Sequence, residues 1–276
     1  MISDIAKPIT VEIACDYFDR FGGTDRTYLN AHFMRFCKTK EFVASPKSPK
    51  LTILDVGAHW LHNAFFYAVD GHKIHCVDSP NTMRNKKVID AANELGCQLH
   101  IADHLEFGDG IKEIPTDTVD LVLFCEIIEH LAFNPIDLWK EIYRVLKAPG
   151  RIVVTTPNAN FWPRLNTTIE RISTGNGWGA TVSEIISTGT FGHHWKEYTA
   201  YEIVEYFKHL SPDFRISKCF YESITFGRYT DKIIFYGKPS LTDEELRHDS
   251  IFAEITLDAK SKGITIEPPW RAKYNH

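Results

Sequence analysis

The segment LTILDVGAHW, at residues 51–60, decides the fold of this chain. Its apolar run leads to Asp55 and Gly57, which is typical of a buried parallel strand that carries polar groups at its carboxyl end. Three later segments have the same form: IHCVDSP at 74–80, VDLVLFCEIIEHL at 119–131 and RIVVTTPN at 151–158. Because ligands of open α/β sheets bind at the carboxyl ends of the strands, these segments predict a ligand site along one sheet edge.

The stretches between these segments alternate with them in type. Helical patterns at 61–69, 82–95 and 135–146 separate the strand patterns, and one more strand is predicted at 98–102. Such alternation indicates a mainly parallel sheet with helices on both faces.

The regions around this core are less regular. We expect an N-terminal helical cap at 1–45, a core at 46–240 and a C-terminal tail at 241–276 that is helical before Pro268. Within the core, residues 158–190 combine glycines with aromatic side chains over a length too great for a simple connection. This insertion is predicted to be a lid over a site.

Two strand patterns follow the lid, at 214–220 and 232–236. Only a turn-rich link joins them, and strands joined without a helix favour an antiparallel hairpin at one sheet edge.

Composition excludes several classes of protein. The net charge of -5 and the absence of a Lys/Arg cluster disfavour nucleic-acid binding. The start of the sequence lacks the pattern of a signal peptide, and no apolar run approaches membrane-spanning length, so we expect a soluble cytoplasmic protein without a membrane partner. Six scattered cysteines indicate neither a disulfide framework nor a zinc site.

Two carboxylates beyond the first strand suggest a nucleoside ligand. Asp78 ends the second strand, about twenty residues after Asp55, where a carboxylate can accept hydrogen bonds from both ribose hydroxyls. Asp78 could instead begin a turn with Ser79 and Pro80. Asp103 follows the third strand, where it could reach a purine amino group or cap a helix.

The combined motifs resemble those of one enzyme family. They are ILDVGA, CVD, IADHLEF, VDLVLFCEIIEHL, LWKEIYRVLKAPGRIVVTTPN and HHWKEYTAYEIVEYF, between residues 51 and 210. This order is similar to that of the class I S-adenosylmethionine-dependent methyltransferases, especially their small-molecule branch. The resemblance implies a Rossmann-like, doubly wound, seven-stranded α/β sheet, mostly parallel with an antiparallel last strand, and S-adenosylmethionine as cofactor.

The resemblance also implies roles for individual residues. Asp55 and Gly57 would line the methionine end of the cofactor, Asp78 the ribose, Asp103 the adenine and Glu126 the wall beside the methyl group. The first loop departs from the family, which usually carries further glycines where this chain has His59 and Leu61. Backbone contact with the cofactor is still expected at His59.

Candidates for chemistry on a small-molecule acceptor lie further along the chain. His193 and His194 follow the lid, and an imidazole can take a proton from a hydroxyl or ammonium group; the alternative is that one of them anchors the lid. His130 is a third candidate base, although Glu129 and His130 could simply charge a helix end. No metal ligand set is expected, because two adjacent histidines rarely face one ion.

Aromatic side chains near the predicted lid could wall the acceptor site or pack the cap onto the core. We expect Tyr28, Trp195 and Tyr198 to contact the acceptor. The resemblance thus implies methyl transfer to an oxygen or nitrogen atom. Two alternatives are a degenerate cofactor-binding protein without transfer activity, suggested by His59 and Leu61, and another nucleoside-binding enzyme of the same fold.

Overall fold

The computed structural model describes residues 8–22, 26–43, 49–176, 179–189, 192–224, 228, 230 and 241–267. Seven strands form one sheet in the order β3-β2-β1-β4-β5-β7-β6. The strands are β1 (Thr52–Val56), β2 (Lys73–Asp78), β3 (Gln98–Ile101), β4 (Val119–Cys125), β5 (Leu146–Pro157), β6 (Phe214–Glu222) and β7 (Ser250–Leu257). Strands β1 to β5 are parallel, as the alternating sequence predicted.

Helices lie on both faces of this sheet. They are α1 (Val11–Asp19), α2 (Arg26–Val43), α3 (His62–Ala68), α4 (Pro80–Met83), α5 (Lys86–Leu95), α6 (Ile136–Val145), α7 (Trp162–Ser173), α8 (Val182–Ser187), α9 (Ala200–Leu210) and α10 (Asp243–Arg247). Successive side chains of β1 point to opposite faces, so Ile53 joins the cluster under α3 and Leu54 joins the one under α6. None of the described helices is long and apolar enough to cross a membrane.

The predicted fold class is confirmed, but the antiparallel last strand comes from another part of the chain. Strand β7 lies between β5 and β6 and is antiparallel to both. The helical prediction for the tail was wrong at 250–257, because Ile251, Phe252 and their neighbours are buried within the sheet. Residues 232–236, the other predicted hairpin strand, lie outside the described residues.

Glu254 explains why this strand was difficult to recognise. A carboxylate within an apolar run does not indicate a buried strand, yet Glu254 is 5% exposed. Its Oε2 atom accepts a hydrogen bond from Arg151 of β5 at 2.9 Å, which compensates the buried charge.

The N-terminal helices cover one side of the carboxyl edge. In α1, Phe18 packs against Phe65 and against the imidazole of His62. Helix α2 contributes Phe36, whose ring lies 5.9 Å from that of Phe66 in α3. Aromatic contacts of this kind stabilise beyond the area they bury, so they hold α1 and α2 against α3, the helix that follows β1.

Candidate functional site

The carboxyl ends of β1 and β2 bring together the predicted ribose ligand and the loop after β1. Asp78 Oδ2 accepts a hydrogen bond from the backbone amide of His59 at 2.8 Å. Asp78 Oδ1 accepts one from the amide of Ser79 at 2.6 Å. The partly exposed carboxylate therefore organises both loops, including the turn predicted with Ser79.

The loop after β1 has a glycine-like backbone although it contains only one glycine. Gly57 has φ 73°, and His59 and Leu61 also have positive φ values of 48° and 67°. A Cβ atom at Gly57 would lie 2.0 Å from Ile127 Cδ1, so any larger residue there would displace the Ile127 side chain. Positive φ strains a residue other than glycine, and such strain persists where the surrounding structure enforces it.

Asp55 lies beneath this loop rather than on its surface. It is 2% exposed, and its Oδ2 atom has no hydrogen-bond partner among the described residues. Burial raises the pKa of Asp55 to about 7. Direct contact with a ligand would require an approach through the loop, so Asp55 is placed to support the site more than to line it.

Asp103 lies at the opposite end of the carboxyl edge, two residues beyond β3. Its side chain is 59% exposed, and Oδ1 lies 3.9 Å from Arg84 Nη2. Because β2 and β3 are adjacent and parallel, Asp78 and Asp103 share one edge of the sheet. The structure therefore brings the three strand-end carboxylates to the same edge, with only Asp103 openly exposed.

Glu126 follows β4 in a strained conformation, with φ 56°. Its Oε1 atom accepts a hydrogen bond from Thr155 Oγ1 at 2.9 Å, and its Oε2 atom lies 3.6 Å from Arg35 Nη1. The Arg35 guanidinium also donates to the Tyr28 hydroxyl at 3.0 Å. Glu126 is thus tied to helix α2 of the predicted cap.

Tyr28 lies over the loop after β1. Its ring is 4.3 Å from that of His32 and 5.0 Å from that of His59. Burial lowers the pKa of His32 to about 4 and that of His62, which stacks on Tyr28, to about 3. The lowered pKa values favour the neutral form of both imidazoles near pH 7, so the Arg35 guanidinium is the charged group in contact with Tyr28.

A second cluster joins two distant segments beside Glu126. The 3₁₀ turn Ile128–His130 follows β4, and its Glu129 carbonyl accepts the backbone amide of Trp195 at 2.8 Å. His130 Nδ1 lies 3.0 Å from the carbonyl oxygen of His193, to which it donates. These bonds place the imidazoles of His130 and His194 4.8 Å apart, edge to face.

The two adjacent predicted bases have different surroundings. His193 is 6% exposed, and its ring packs 5.3 Å from that of Trp195. His194 is partly exposed, and its Nδ1 atom lies 3.0 Å from Glu197 Oε1. Because a carboxylate can only accept, His194 Nδ1 carries the proton and its Nε2 atom offers a lone pair.

His130 has the same tautomer as His194, with its proton on Nδ1. Its Nδ1–H points to a carbonyl, so its Nε2 atom also offers a lone pair. Burial is the main cause of the lowered pKa of His130, and the charge of His194 lowers it further. Glu129, 0% exposed, lies beside it, and burial together with the charge of Glu126 raises the pKa of Glu129 well above its usual range.

A cleft of about 1080 Å³ opens between α7, α8 and the segment around His194. Phe161, Arg164 and Trp195 line it, and the Trp195 side chain is 46% exposed. Tyr198 lies outside this lining and packs near Tyr206, where burial raises the pKa of Tyr198 to about 12. Of the aromatic residues predicted to contact the acceptor, only Trp195 lines this cleft.

Several residues of the site were not predicted. Arg35 is buried in α2 beside Glu126, and Glu197 accepts from both His194 and Arg164. Arg35 belongs to no recognisable sequence motif. Only the tertiary structure reveals its contacts with Glu126 and Tyr28. The short spacing of His194 and Glu197, three residues apart, was a signal that could have indicated their contact.

The comparisons with known proteins agree with this geometry. A family model described as a methyltransferase domain matches residues 54–154, from β1 to β5. The sheet order and the antiparallel β7 extend the agreement beyond that match. The chain has the class I methyltransferase fold.

Solved structures support this methyltransferase fold over most of the chain. A SAM-dependent methyltransferase from Archaeoglobus fulgidus is 15% identical, with a TM-score of 0.52 over 88% of this chain and 98% of that one. The PH0226 protein from Pyrococcus horikoshii is 13% identical, with a TM-score of 0.54 over 85% of this chain and 92% of that one. No curated protein matches the sequence.

A third structure contains a bound ligand. It is the Burkholderia thailandensis 1,6-didemethyltoxoflavin-N1-methyltransferase with bound 1,6-didemethyltoxoflavin and S-adenosylhomocysteine. It is 12% identical, with a TM-score of 0.53 over 92% of this chain and 93% of that one. At such identities the likeness establishes the fold, and the chemistry must be argued from the residues of this chain.

Proposed function

We propose that the protein is an S-adenosylmethionine-dependent methyltransferase that acts on an oxygen or nitrogen atom of a small molecule. When bound, S-adenosylmethionine supplies an electrophilic methyl group on a sulfonium centre. The matched family, the methyltransferase fold and the S-adenosylhomocysteine bound to a protein of that fold support this donor. The observation in this chain that carries the proposal is the hydrogen bonding of Asp78.

The Asp78 carboxylate retains acceptor capacity for a ribose. An ionised carboxylate offers about four lone-pair sites. The amides of His59 and Ser79 use two of them. The remaining capacity suits the two hydroxyls of a ribose, and the two amides hold the carboxylate in place before a ligand arrives.

The loop after β1 supports cofactor binding despite its missing glycines. The His59 amide bonds to Asp78, while its imidazole packs against Tyr28. The side chain therefore turns away from the β2 end, and the backbone takes the conformation that glycine would take. This observation favours a functional site over the degenerate alternative.

The cap and lid are proposed to enclose the acceptor. Residues 1–45 would cover the cofactor through Tyr28, and 158–190 would close over the cleft. The cleft volume of about 1080 Å³ suits a small molecule rather than a macromolecule. Apolar side chains on the lid helices are available to exclude water, because Ile169, Ile172 and Ile185 are exposed.

Proton removal from the acceptor is assigned to His194, which lines the cleft, and to His130, whose ring packs against that of His194. His130 and His194 each have an Nε2 lone pair that a protonated nucleophile can use, whereas His193 is buried against Trp195. Positioning in the closed cleft would supply much of the remaining rate enhancement. Glu126 and Trp195 would form the walls.

Titration calorimetry with S-adenosylmethionine and S-adenosylhomocysteine tests the proposal. We expect the wild-type protein to bind both, and Asp78→Ala to lose about 2–3 kcal/mol, or roughly 30–150-fold in affinity, with its ribose acceptors gone. The control is Asp90→Ala, an exposed carboxylate of α5 paired with Lys86, which should bind as the wild type does.

Two outcomes would contradict the proposal at different levels. A wild-type protein that binds neither compound would overturn the methyltransferase assignment. Equal affinities for the wild type and Asp78→Ala would move the ribose site away from β2 and leave the donor in place. Product analysis with candidate acceptors then distinguishes methyl transfer from another reaction of a bound nucleoside.

A further inference from the structure

Glu129, His130 and His194 bring three ligating groups together. One carboxylate oxygen and one ring nitrogen from each histidine lie within 4.8 Å of one another. Within this group, His130 Nε2 lies 3.9 Å from Glu129 Oε1. Two imidazoles and one carboxylate are a common donor set for divalent transition metals with open coordination positions.

The histidine tautomers suit a metal. Metal-binding histidines usually donate their other ring N–H to a carbonyl or a carboxylate, which orients the ring. His130 Nδ1 donates to the His193 carbonyl, and His194 Nδ1 donates to Glu197. Both Nε2 atoms are thereby left as acceptors, and that of His130 lies 3.9 Å from Glu129 Oε1.

Glu129 provides the independent observation. Its side chain is 0% exposed, and Oε2 accepts a hydrogen bond from Thr156 Oγ1 at 3.0 Å. Its Oε1 atom is buried and has no hydrogen-bond partner among the described residues. An unsatisfied buried carboxylate oxygen is costly, and a cation would compensate it.

The surrounding structure makes the cluster rigid. The Glu129 carbonyl accepts the amide of Trp195, and Glu197 is held by Arg164 Nη1 at 2.6 Å. Each histidine is therefore supported by a group that is itself fixed, as in established metal sites. The two histidines are partly exposed, and His194 is the more exposed of them at 35% against 25% for His130, so its side chain can adjust.

We propose that Glu129, His130 and His194 bind a divalent transition-metal ion of the zinc class. Zinc–ligand distances of about 2.0–2.2 Å separate the ligand atoms of a tetrahedral site by roughly 3.5 Å. The group must therefore close by about 1 Å, chiefly through movement of His194. This assignment replaces the expectation of no metal, because that expectation weighed His193 with His194 rather than His130 with His194.

The role of the ion rests on the proposed methyltransferase function. With three protein ligands, the ion keeps a position open for an oxygen or nitrogen of the acceptor, whose pKa it would lower. The acceptor proton would pass to solvent. The acceptor atom would bond to the methyl carbon as the carbon–sulfur bond breaks, with the electron pair remaining on sulfur. The imidazoles would then hold the ion instead of taking the proton.

The experiment uses the full-length protein after treatment with a chelator. Co²⁺ is titrated and followed by its visible d–d absorption, and Zn²⁺ binding is measured by calorimetry. The ligand variants are His130→Gln and His194→Gln. The control is His209→Gln, an exposed histidine of α9 whose side chain is 82% exposed.

We expect one saturable site whose affinity falls at least about 100-fold in either ligand variant and is unchanged in the control, since even supporting residues of metal sites contribute 10–100-fold. Co²⁺ spectra that stay the same in both ligand variants would show binding elsewhere and overturn the site. A wild type without a saturable site would also overturn it.

S-adenosylmethionine calorimetry on the same samples separates the two proposals. Metal binding without binding of the methyl donor would retain the metal site and reject the methyltransferase function. Donor binding without metal binding would reject the metal site and retain the methyltransferase function. The imidazoles would then act on the acceptor directly. Because His194→Gln changes a partly exposed side chain, the test does not depend on substitution of the buried Glu129.

Discussion

The proposed cofactor side and the proposed acceptor side of the site are built in different ways. The cofactor side takes Asp55, Gly57 and Asp78 from the ends of β1 and β2, two adjacent parallel strands. The acceptor side takes His130 and His194 from segments that meet through hydrogen bonds across 63 residues of sequence. Strand pairing alone aligns the first group, whereas the second depends on the whole connection between β4 and α9.

This difference affects how each side tolerates change. On the proposed cofactor side, the main-chain conformation and one partly exposed carboxylate would provide the binding groups. On the acceptor side, a buried carboxylate and two oriented imidazoles lie together. Substitutions should therefore affect binding on the first side and the rate of reaction on the second.

The largest expected effect is on the acceptor side. Once an acceptor is known, His130→Gln and His194→Gln should each lower the single-turnover rate about 10²–10⁴-fold, or roughly 3–5 kcal/mol, because glutamine neither takes the proton nor holds an ion in the same way. His193→Gln is the matched control, and its rate should change much less. Rapid-quench measurements at saturating donor would measure this difference.

The opposite ranking of the rates of these variants would contradict the assignment of the acceptor side. If His193→Gln lost most of the rate while the other two variants kept theirs, the chemistry would lie with the buried ring beside Trp195. Donor affinity measured on each variant shows whether the cofactor side is intact.

A smaller effect is expected where the lid meets the acceptor side. Arg164→Gln removes the ion pair between α7 and Glu197, and both side chains of that pair are about a quarter exposed. Partly buried pairs of this kind contribute about 1–2 kcal/mol. Hydrogen exchange in α7 should accelerate by about 5- to 30-fold.

Arg171→Gln is the control for this measurement. Arg171 pairs with Glu184 and links α7 to α8 within the lid. Its loss should accelerate exchange in α8 and leave the segment around His194 unchanged. The same exchange pattern in both variants would mean that Arg164 does not tether the lid to the acceptor side.

The smallest effect is expected on the cofactor side. His59→Gly removes the strain of a positive φ but also the packing against Tyr28, so donor affinity should stay within about 1 kcal/mol of the wild type. Asp117→Gly is the control, since Asp117 has φ 56° outside the loop. Calorimetry and thermal unfolding of both variants measure affinity and stability separately.

Donor binding that appears only in His59→Gly would reveal a degenerate site in the natural sequence. That result would break the cofactor half of the comparison and favour a protein without transfer activity. A large loss of affinity would instead show that the imidazole itself contacts the cofactor.

The strand-end residues were predictable because their positions follow from local patterns. Asp78 ends an apolar run, and the parallel pairing of β2 with β1 fixes its position at the carboxyl edge of the sheet. Strand β7 was missed because Glu254 interrupts its pattern, and only the contact with Arg151 makes that carboxylate compatible with burial. The metal expectation was drawn from neighbours in sequence, although the group in space includes His130.

The sequence by itself determined the alternating parallel core and the carboxylates at its edge, because side-chain periodicity and strand ends are local properties. Only the tertiary structure decided which strand closes the sheet, where Arg35 lies and which imidazoles face Glu129. Those arrangements depend on burial and on hydrogen bonds between distant segments, and a local sequence pattern does not predict the energies of such contacts.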